Sequence, residues 1–237
     1  MENEKKNRSY WLWKSLFFLF CLIFFYHIWI LGQIVYWNFY NPSTSSFMQY
    51  RLDILQKENP NNKIKLQYKW ISYDLISPHL KRAVITAEDA KFMKHNGFDY
   101  EAIQMAYKKN LSKRKIVAGG STIIQQLAKN LFLYTKKTPW RKIEEAIITL
   151  MIENVMNKRR ILEIYLNIIE WGNNVFGAKA AALHYYNIST SSLSAKQSSR
   201  LAAMIPNPRF YDQNRNSPSL LKKSNIIRHR MVSIPIP

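Results

Sequence analysis

The 237-residue chain contains a single cysteine, Cys21, which lies inside a long apolar segment. The rest of the chain therefore has no disulfide and no thiol with which to catalyse a reaction. The redox state of the surrounding compartment should have no effect on its fold.

Charged residues are absent from residues 15–40, a stretch dominated by Phe, Leu, Ile and Trp. A run of this length spans a bilayer as one helix. A buried core helix is disfavoured, because apolar residues occupy every face of the segment. The aromatic residues near its two ends resemble the aromatic belts of membrane helices: Trp11, Trp13, Tyr36, Trp37 and Tyr40.

The flanking charges predict the orientation of this helix. Lys5, Lys6, Arg8 and Lys14 precede the apolar run, and the next basic residue is Arg51. The positive-inside rule then predicts a cytoplasmic tail at residues 1–14, a transmembrane helix at 15–40 and an outer location for the rest. A cleaved signal peptide is disfavoured because the run is long and no small-x-small cleavage site follows it.

Acidic residues are scarce, with 15 Asp and Glu against 35 Lys and Arg, which gives a formal net charge of +20. Such an excess predicts an anionic partner or surface, and nucleic acid is the commonest one. No nucleic-acid-binding motif is recognisable, and the predicted topology places most of the charge outside the cell. A membrane-tethered scaffolding or nucleic-acid-binding module therefore remains only as an alternative.

After the apolar segment, residues 41–67 are polar and read as a linker or an irregular lead-in, and residues 68–237 as one mainly α-helical domain. Strand signals are confined to residues 63–70, which allows at most a small hairpin. Helices are predicted to begin at Ser77-Pro78, Asp99, Thr138-Pro139 and Ser217-Pro218, with further helices at 159–167, 178–186 and 194–205. In the helix that follows Pro139, the apolar residues expected to face inward are Ile143, Ile147, Leu150 and Met151.

Gly119 and Gly120 precede Ser-Thr and an apolar helical stripe in the segment 119–130. A glycine-rich turn before a helix N-terminus, with cations nearby, can bind an anion. A surface loop that caps a core helix through Ser121 or Thr122 explains the same residues equally well. The residues by themselves leave both readings open.

Two further clusters carry ionisable groups. Glu88 lies on an apolar helix stripe, where burial would raise its pKa towards the range of a general base, although an ion pair with Lys91 or Lys94 is the simpler reading. His95 has no Cys or His partner nearby, which favours a structural role over metal binding. At 141–145 two basic residues, Arg141 and Lys142, are followed by two acidic ones, Glu144 and Glu145. Surface ion pairs are the simplest explanation of this pattern.

Five segments, in order, resemble the motifs of the peptidoglycan glycosyltransferases, the enzymes that polymerise lipid II into glycan strands. Residues 88–97 match ED-x-x-F-x-x-H-x-G, and residues 119–130 resemble GGSTITQQ with its following Lys-Asn. Residues 141–145 match R-K-x-x-E, and residues 158–167 resemble K-x-x-I-L-E-x-Y-L-N. Residues 177–186 resemble the Gly-Ala block that closes with Tyr-Phe, with Tyr186 in place of Phe. The likeness extends over residues 70–211.

The resemblance implies roles for particular residues. Glu88 would be the general base and Glu145 the second functional carboxylate. The cations that contact the lipid diphosphate would be Lys129, Lys137, Arg141 and Lys142. The remaining substrate-binding residues would be Asp89, His95, Ser121, Gln125 and Gln126. Outside these positions, the helical segments read as core.

Three departures from the family pattern stand out. Lys137 replaces an Arg, which keeps the charge but loses the two-pronged contact of a guanidinium. Ile124 replaces Thr in the glycine-rich segment. Gln197-Ser198 replaces the usual Glu-Ala, which puts in doubt any substrate contact there.

The resemblance implies a lysozyme-like helical domain behind one transmembrane helix, in the bacterial cytoplasmic (inner) membrane. Its substrates would be lipid II and the growing glycan chain, with no nucleic acid and with other cell-wall synthesis and division proteins as partners. No cofactor would be required, and Mg or Mn would be optional, because no metal site can be read from the spacings. The chain leaves no room for a transpeptidase domain, which predicts the monofunctional type. A lytic, lysozyme-like hydrolase is the rival enzyme, but it does not account for the basic residues before Glu145.

Overall fold

The structure is a computed structural model that describes residues 2–115, 119–133 and 138–237. It divides into two compact units, one through Tyr40 and one from Asn41 to Pro237. The first unit is a single helix, α1 (Glu2–Phe39), which is already helical over the predicted tail. Its residues Tyr10–Phe39 are long and apolar enough to cross a membrane, by length and composition.

The second unit is mainly helical, as the sequence predicts, with one small sheet. Its helices, in chain order, are α2 (Ser46–Glu58), α3 (Pro78–Glu88), α4 (Tyr100–Lys113), α5 (Ile123–Phe132), α6 (Pro139–Val155), α7 (Lys158–Ile168), α8 (Gly177–Tyr186), α9 (Ala195–Met204), α10 (Pro208–Gln213) and α11 (Pro218–Arg230). Its strands are β1 (Gln67–Tyr68), β2 (Glu170–Gly172) and β3 (Val175–Phe176).

Two helix groups make up most of the core. In one group α5 packs against α2, α6 and α7, and in the other α9 packs against α3 and α11. The largest fully buried side chains are Trp171, Tyr165, Phe92 and Phe176. The active-site candidates lie where α3 of the second group meets α5 of the first.

The predicted helix starts agree with the observed caps. Ser77 accepts a hydrogen bond from the His79 amide before Pro78, and Asp99 accepts one from the Ala102 amide. The helix after Asp99 runs to Lys113. Gln197, one of the departures, forms a capping box with Ser194, so it begins α9 in the way that a Glu would.

The sheet has the order β1-β3-β2, with β1 parallel and β2 antiparallel to β3. Only the region of β1 gave a strand signal in the sequence. The strands β2 and β3 are fully buried, so they lack the alternation of apolar and polar residues that marks a half-exposed strand.

Two expectations about helices need correction. The segment expected to be an irregular lead-in contains α2, which packs on α5. The inward stripe expected for α6 is wrong, because Ile143, Ile147 and Leu150 are exposed. The face that packs on α5 instead carries a second helical stripe, Glu145, Ile148, Thr149 and Ile152. A helix with apolar residues on two faces does not reveal from its pattern which face is buried.

Candidate active site

Glu88 is the last residue of α3 and is half-buried. The Gln126 side-chain amide of α5 donates to its Oε2 at 2.9 Å. The Tyr165 hydroxyl of α7 donates to Gln126 Oε1, also at 2.9 Å, which fixes the amide so that its N–H group faces the carboxylate. Three helices, α3, α5 and α7, therefore position the Glu88 carboxylate.

Burial raises the pKa of the Glu88 carboxyl above its ordinary value. The hydrogen bond from Gln126 and the positive charges of Lys223 and Lys129 oppose that rise, and the neighbouring Asp89 adds to it. The carboxyl therefore holds a proton more readily than an exposed glutamate. This is the direction expected of a general base that works near neutral pH.

Asp89 is buried and bonded to protein partners. Its carboxylate oxygens both lie 2.9 Å from His95 Nε2, and its Oδ2 accepts the Ile123 amide at 3.0 Å. Ile123 is the first residue of α5, so the carboxylate occupies the N-terminus of that helix. The anion that this helix end binds is thus the side chain of Asp89, and the capping reading of the loop is the one that the geometry favours.

The glycine-rich segment serves packing and capping. A Cβ on Gly120 would lie 2.8 Å from the Cα of Ile103 in α4, whereas no such contact within 4 Å is made from Gly119 to the part of the chain that the structure describes. Thr122 caps α5 through a capping box with Gln125, and its hydroxyl donates to the Gly97 carbonyl at 2.7 Å. Gln125, predicted to bind substrate, is buried in this capping arrangement.

The first turns of α6 gather the second set of charges. Glu145 is 3% exposed, its Oε2 lies 3.2 Å from Arg141, and its Oε1 pairs with Lys142. Lys142 also reaches Ser121 Oγ at 3.3 Å, so α6 is tied to the segment before α5. Lys142 remains half-exposed, which leaves its ammonium group accessible to a ligand.

Lys129 links the two carboxylates electrostatically. Its side chain is solvent-accessible, yet the surrounding protein desolvates the ammonium group and lowers its pKa. Glu145 and, more weakly, Glu88 act in the opposite direction on the same group. Glu88 and Glu145, which are distant in the chain, therefore act on one ammonium group.

Glu88 and Gln126, which are hydrogen-bonded to each other, line different cavities. One of about 250 Å³ is lined by Glu88, Asp89 and residues 119–122. The other, of about 310 Å³, is lined by Gln126, Lys129 and Arg141, among others. The predicted cation Lys137 lies outside the described residues.

The described side chains do not fit a divalent cation. Among them, no three His, Cys, Asp or Glu residues come together in a way that could hold a metal. Both carboxylate oxygens of Glu145 are paired with cations, one with Arg141 and one with Lys142.

Sequence reasoning missed several groups at this site. Tyr165 was assigned only to the core, yet its hydroxyl orients Gln126. Lys223, whose pKa burial lowers, acts on Glu88 from α11. Glu170 and Arg209 line the larger cavity, and no sequence pattern marked them. In the 158–167 segment, Lys158 makes a contact of a structural kind, since its ammonium group donates to the His95 carbonyl at 2.7 Å.

A sequence model described as "Transglycosylase" matches residues 57–232. The chain belongs to this transglycosylase family, whose domain has a lysozyme-like helical fold.

Curated relatives named "Biosynthetic peptidoglycan transglycosylase" match nearly the whole chain. The relative from Nitrosospira multiformis is 63% identical over 96% of this chain and 98% of its own length. Those from Chromobacterium violaceum and Laribacter hongkongensis are 55% and 56% identical, over 95% and 96% of this chain and 98% and 99% of their own lengths.

Proposed function

We propose that the chain is a biosynthetic peptidoglycan transglycosylase that polymerises lipid II, with Glu88 as the general base. It would transfer the growing glycan from its undecaprenyl diphosphate to the 4-hydroxyl of the next lipid II sugar. The observation that carries the proposal is the setting of Glu88. It is a half-buried carboxyl with a raised pKa that lines one cavity and bonds, at 2.9 Å, the Gln126 amide that lines a second cavity together with cations.

In the proposed step Glu88 accepts the proton of the 4-hydroxyl while the oxygen attacks the anomeric carbon of the donor. The bond from that carbon to the diphosphate oxygen breaks, and the configuration inverts from the α-diphosphate to a β-1,4 link. A base that lines one cavity and bonds a residue of a second suits a reaction that joins two bound substrates. The raised pKa makes the carboxyl a stronger proton acceptor than an exposed one.

The departing diphosphate gains negative charge, which cations fixed in advance would stabilise. Lys129 and Arg141 line the larger cavity, and Lys142 lies beside them on α6. The role of Glu145 in this scheme is to hold Arg141 and Lys142 in place through its two ion pairs. Lys137 belongs to the proposed set by sequence alone.

Asp89, His95 and Gln125 take positioning roles in the proposal. Asp89 and His95 bond each other, and Asp89 also bonds the start of α5, so both fix the angle between α3 and α5. Gln125 completes the capping box of α5. Ser121 would contact substrate together with Lys142, to which it is bonded.

The membrane arrangement is also part of the proposal. The apolar helix α1 would anchor the chain in the bacterial cytoplasmic membrane with its basic start inside, and the catalytic unit outside. A lipid-linked substrate would then meet the enzyme at the surface where both reside. Basic charge on the outer unit would add attraction to anionic headgroups. Other cell-wall synthesis and division proteins are the proposed protein partners.

The experiment offers purified full-length protein lipid II in detergent and measures glycan length on gels. Glu88→Gln should lower the rate by at least about 100-fold, since it removes the base but keeps the shape of the side chain. Glu58→Gln, the same change at an exposed position in the last turn of α2, is the matched control and should polymerise normally. Thermal unfolding of both variants checks that they are folded.

Continued polymerisation by Glu88→Gln would overturn the base assignment. Release of fragments from finished peptidoglycan, without consumption of lipid II, would instead identify a lytic enzyme and overturn the proposed function.

A further inference from the structure

Arg209 lies far along the chain from the motif segments, at the second residue of α10. It nevertheless lines the same cavity of about 310 Å³ as Lys129 and Arg141. The fold therefore brings a third cation to this cavity, from an element to which the sequence gave no role. Half of the Arg209 side chain, 52%, is exposed.

A buried carboxylate holds Arg209 in position. Glu170 is only 5% exposed in its side chain, and its Oε2 lies 3.5 Å from Arg209 Nε. Its other oxygen lies 3.3 Å from Nε of Arg51, an α2 side chain that is 6% exposed. Taking a carboxylate out of water is costly unless it is paired, and here two guanidinium groups flank it.

The ion pair with Glu170 is made through Nε of Arg209, at 3.5 Å. The terminal N–H groups of an arginine point away from Nε and form the fork that binds oxyanions. Because Arg51 already balances the charge of Glu170, the cavity keeps a net positive charge from Lys129, Arg141 and Arg209. A cavity with this charge balance favours an anionic ligand.

The lining of the cavity also includes apolar side chains, among them Phe47, Ile169 and Ile205. A lining that combines cations with hydrocarbon suits a phosphate group that continues into a polyprenyl chain. A carboxylate on the peptide of lipid II is the other oxyanion that could reach a guanidinium. It would not use the apolar side chains, nor explain why Lys129 and Arg141 share the cavity.

We propose that Arg209, positioned by the buried Glu170–Arg51 pair, binds a phosphoryl oxygen of the polyprenyl diphosphate and is a substrate-binding residue of this enzyme. The inference rests on the proposed function and adds a contact to it. Arg209 would hold the diphosphate from α10, in the cavity that it shares with the α5 and α6 cations.

The test measures binding of geranylgeranyl diphosphate, a probe without sugar or peptide, to the full-length protein in detergent, together with KM and kcat for lipid II. Arg209→Gln should weaken binding of the probe and raise KM by about tenfold, the loss typical of one charge-assisted hydrogen bond. Arg209→Lys, which keeps the charge without the fork, should fall between Arg209→Gln and the wild type. Arg230→Gln, the same change at an exposed position at the end of α11, is the matched control and should behave as the wild type.

Three outcomes would overturn the inference. Unchanged probe binding and KM in Arg209→Gln would remove Arg209 from the site. A raised KM with unchanged probe binding would assign Arg209 to the peptide carboxylate instead. A lower Tm with normal binding would make the ion pair purely structural. None of these bears on the proposed function, which fails only if the wild-type protein does not polymerise lipid II.

Discussion

At the scale of single residues, the central feature is the chain of hydrogen bonds from Tyr165 through Gln126 to Glu88. Burial raises the pKa of the Glu88 carboxyl, and the N–H donated by Gln126 limits that rise because it stabilises the ionised form. The state of the proposed base therefore depends on a neutral amide whose orientation a tyrosine hydroxyl sets.

Gln126→Leu should shift the pH dependence of the reaction. Loss of the donated hydrogen bond removes an interaction that lowers the pKa of Glu88, so that pKa should rise further. Since the base acts only when ionised, the acidic limb of kcat/KM against pH should move to higher pH. Rates of lipid II consumption measured across the pH range would show the shift.

Two comparisons sharpen this measurement. Tyr165→Phe leaves Gln126 in place and should move the limb in the same direction by a smaller amount. Gln104→Leu, on the exposed side of α4, should leave the limb where it is. An unmoved limb in Gln126→Leu, with activity retained, would disprove the role assigned to the amide.

At the scale of elements, the N-terminus of α5 is the point where α3, the following loop and α5 are bonded together. Asp89 from the end of α3, Gly97 from the following loop and Gln125 from α5 itself satisfy the polar groups there. Close contact between Gly120 and α4 adds a packing constraint at the same place. The glycine-rich segment therefore sets the angle of α5, and α5 carries Gln126 and Lys129 into the site.

The two glycines offer a matched pair of substitutions. Gly120→Ala would place a Cβ 2.8 Å from the Cα of Ile103 and should lower the free energy of unfolding by about 1–3 kcal/mol. Gly119→Ala meets no atom of residues 2–115, 119–133 or 138–237 within 4 Å, and Gly119 is not among the positive-φ positions, so this change should be neutral or slightly stabilising. Denaturant unfolding of both variants tests the pair, and equal effects would contradict the packing argument.

At the scale of the whole molecule, a helix without charged residues over 15–39 and a basic second unit lie in one chain with a net charge of +20. The charge asymmetry around the apolar helix implies one orientation in the membrane. The single cysteine, Cys21, lies within that helix. Its replacement leaves a chain without thiols, into which single cysteines can be introduced to measure the orientation by labelling.

Thiol labelling of spheroplasts should reveal the topology. In a Cys21→Ser background, Asn61→Cys introduces an exposed thiol in the loop after α2. In the same background, Lys5→Cys introduces a thiol in the basic N-terminal segment. A membrane-impermeant maleimide should label the first in intact spheroplasts and the second only after lysis. Labelling of the Lys5→Cys protein before lysis would reverse the proposed orientation.

Much of this protein follows from local sequence. Proline and capping residues determined where α3, α6 and α11 begin, because a fixed φ and an unsatisfied helix end are local constraints. The apolar run determined α1, since its length alone suffices to span a bilayer. Motif strings identified Glu88, Lys129 and the 141–145 cluster as candidates, although not what each contacts.

Tertiary structure alone decided which groups meet. The periodicity of α6 predicted that the wrong face is buried. Apolar residues occur on two faces of this helix, and only its packing against α5 decides which of them is buried. A glycine-rich loop before a helix can bind an anion, but here the carboxylate of Asp89, at the end of α3, already occupies the N-terminus of α5. Arg209 lines the cavity of Lys129 and Arg141, where it is ion-paired with Glu170, which also pairs with Arg51. These three residues come from α10, β2 and α2, so no pattern along the sequence marks their cluster.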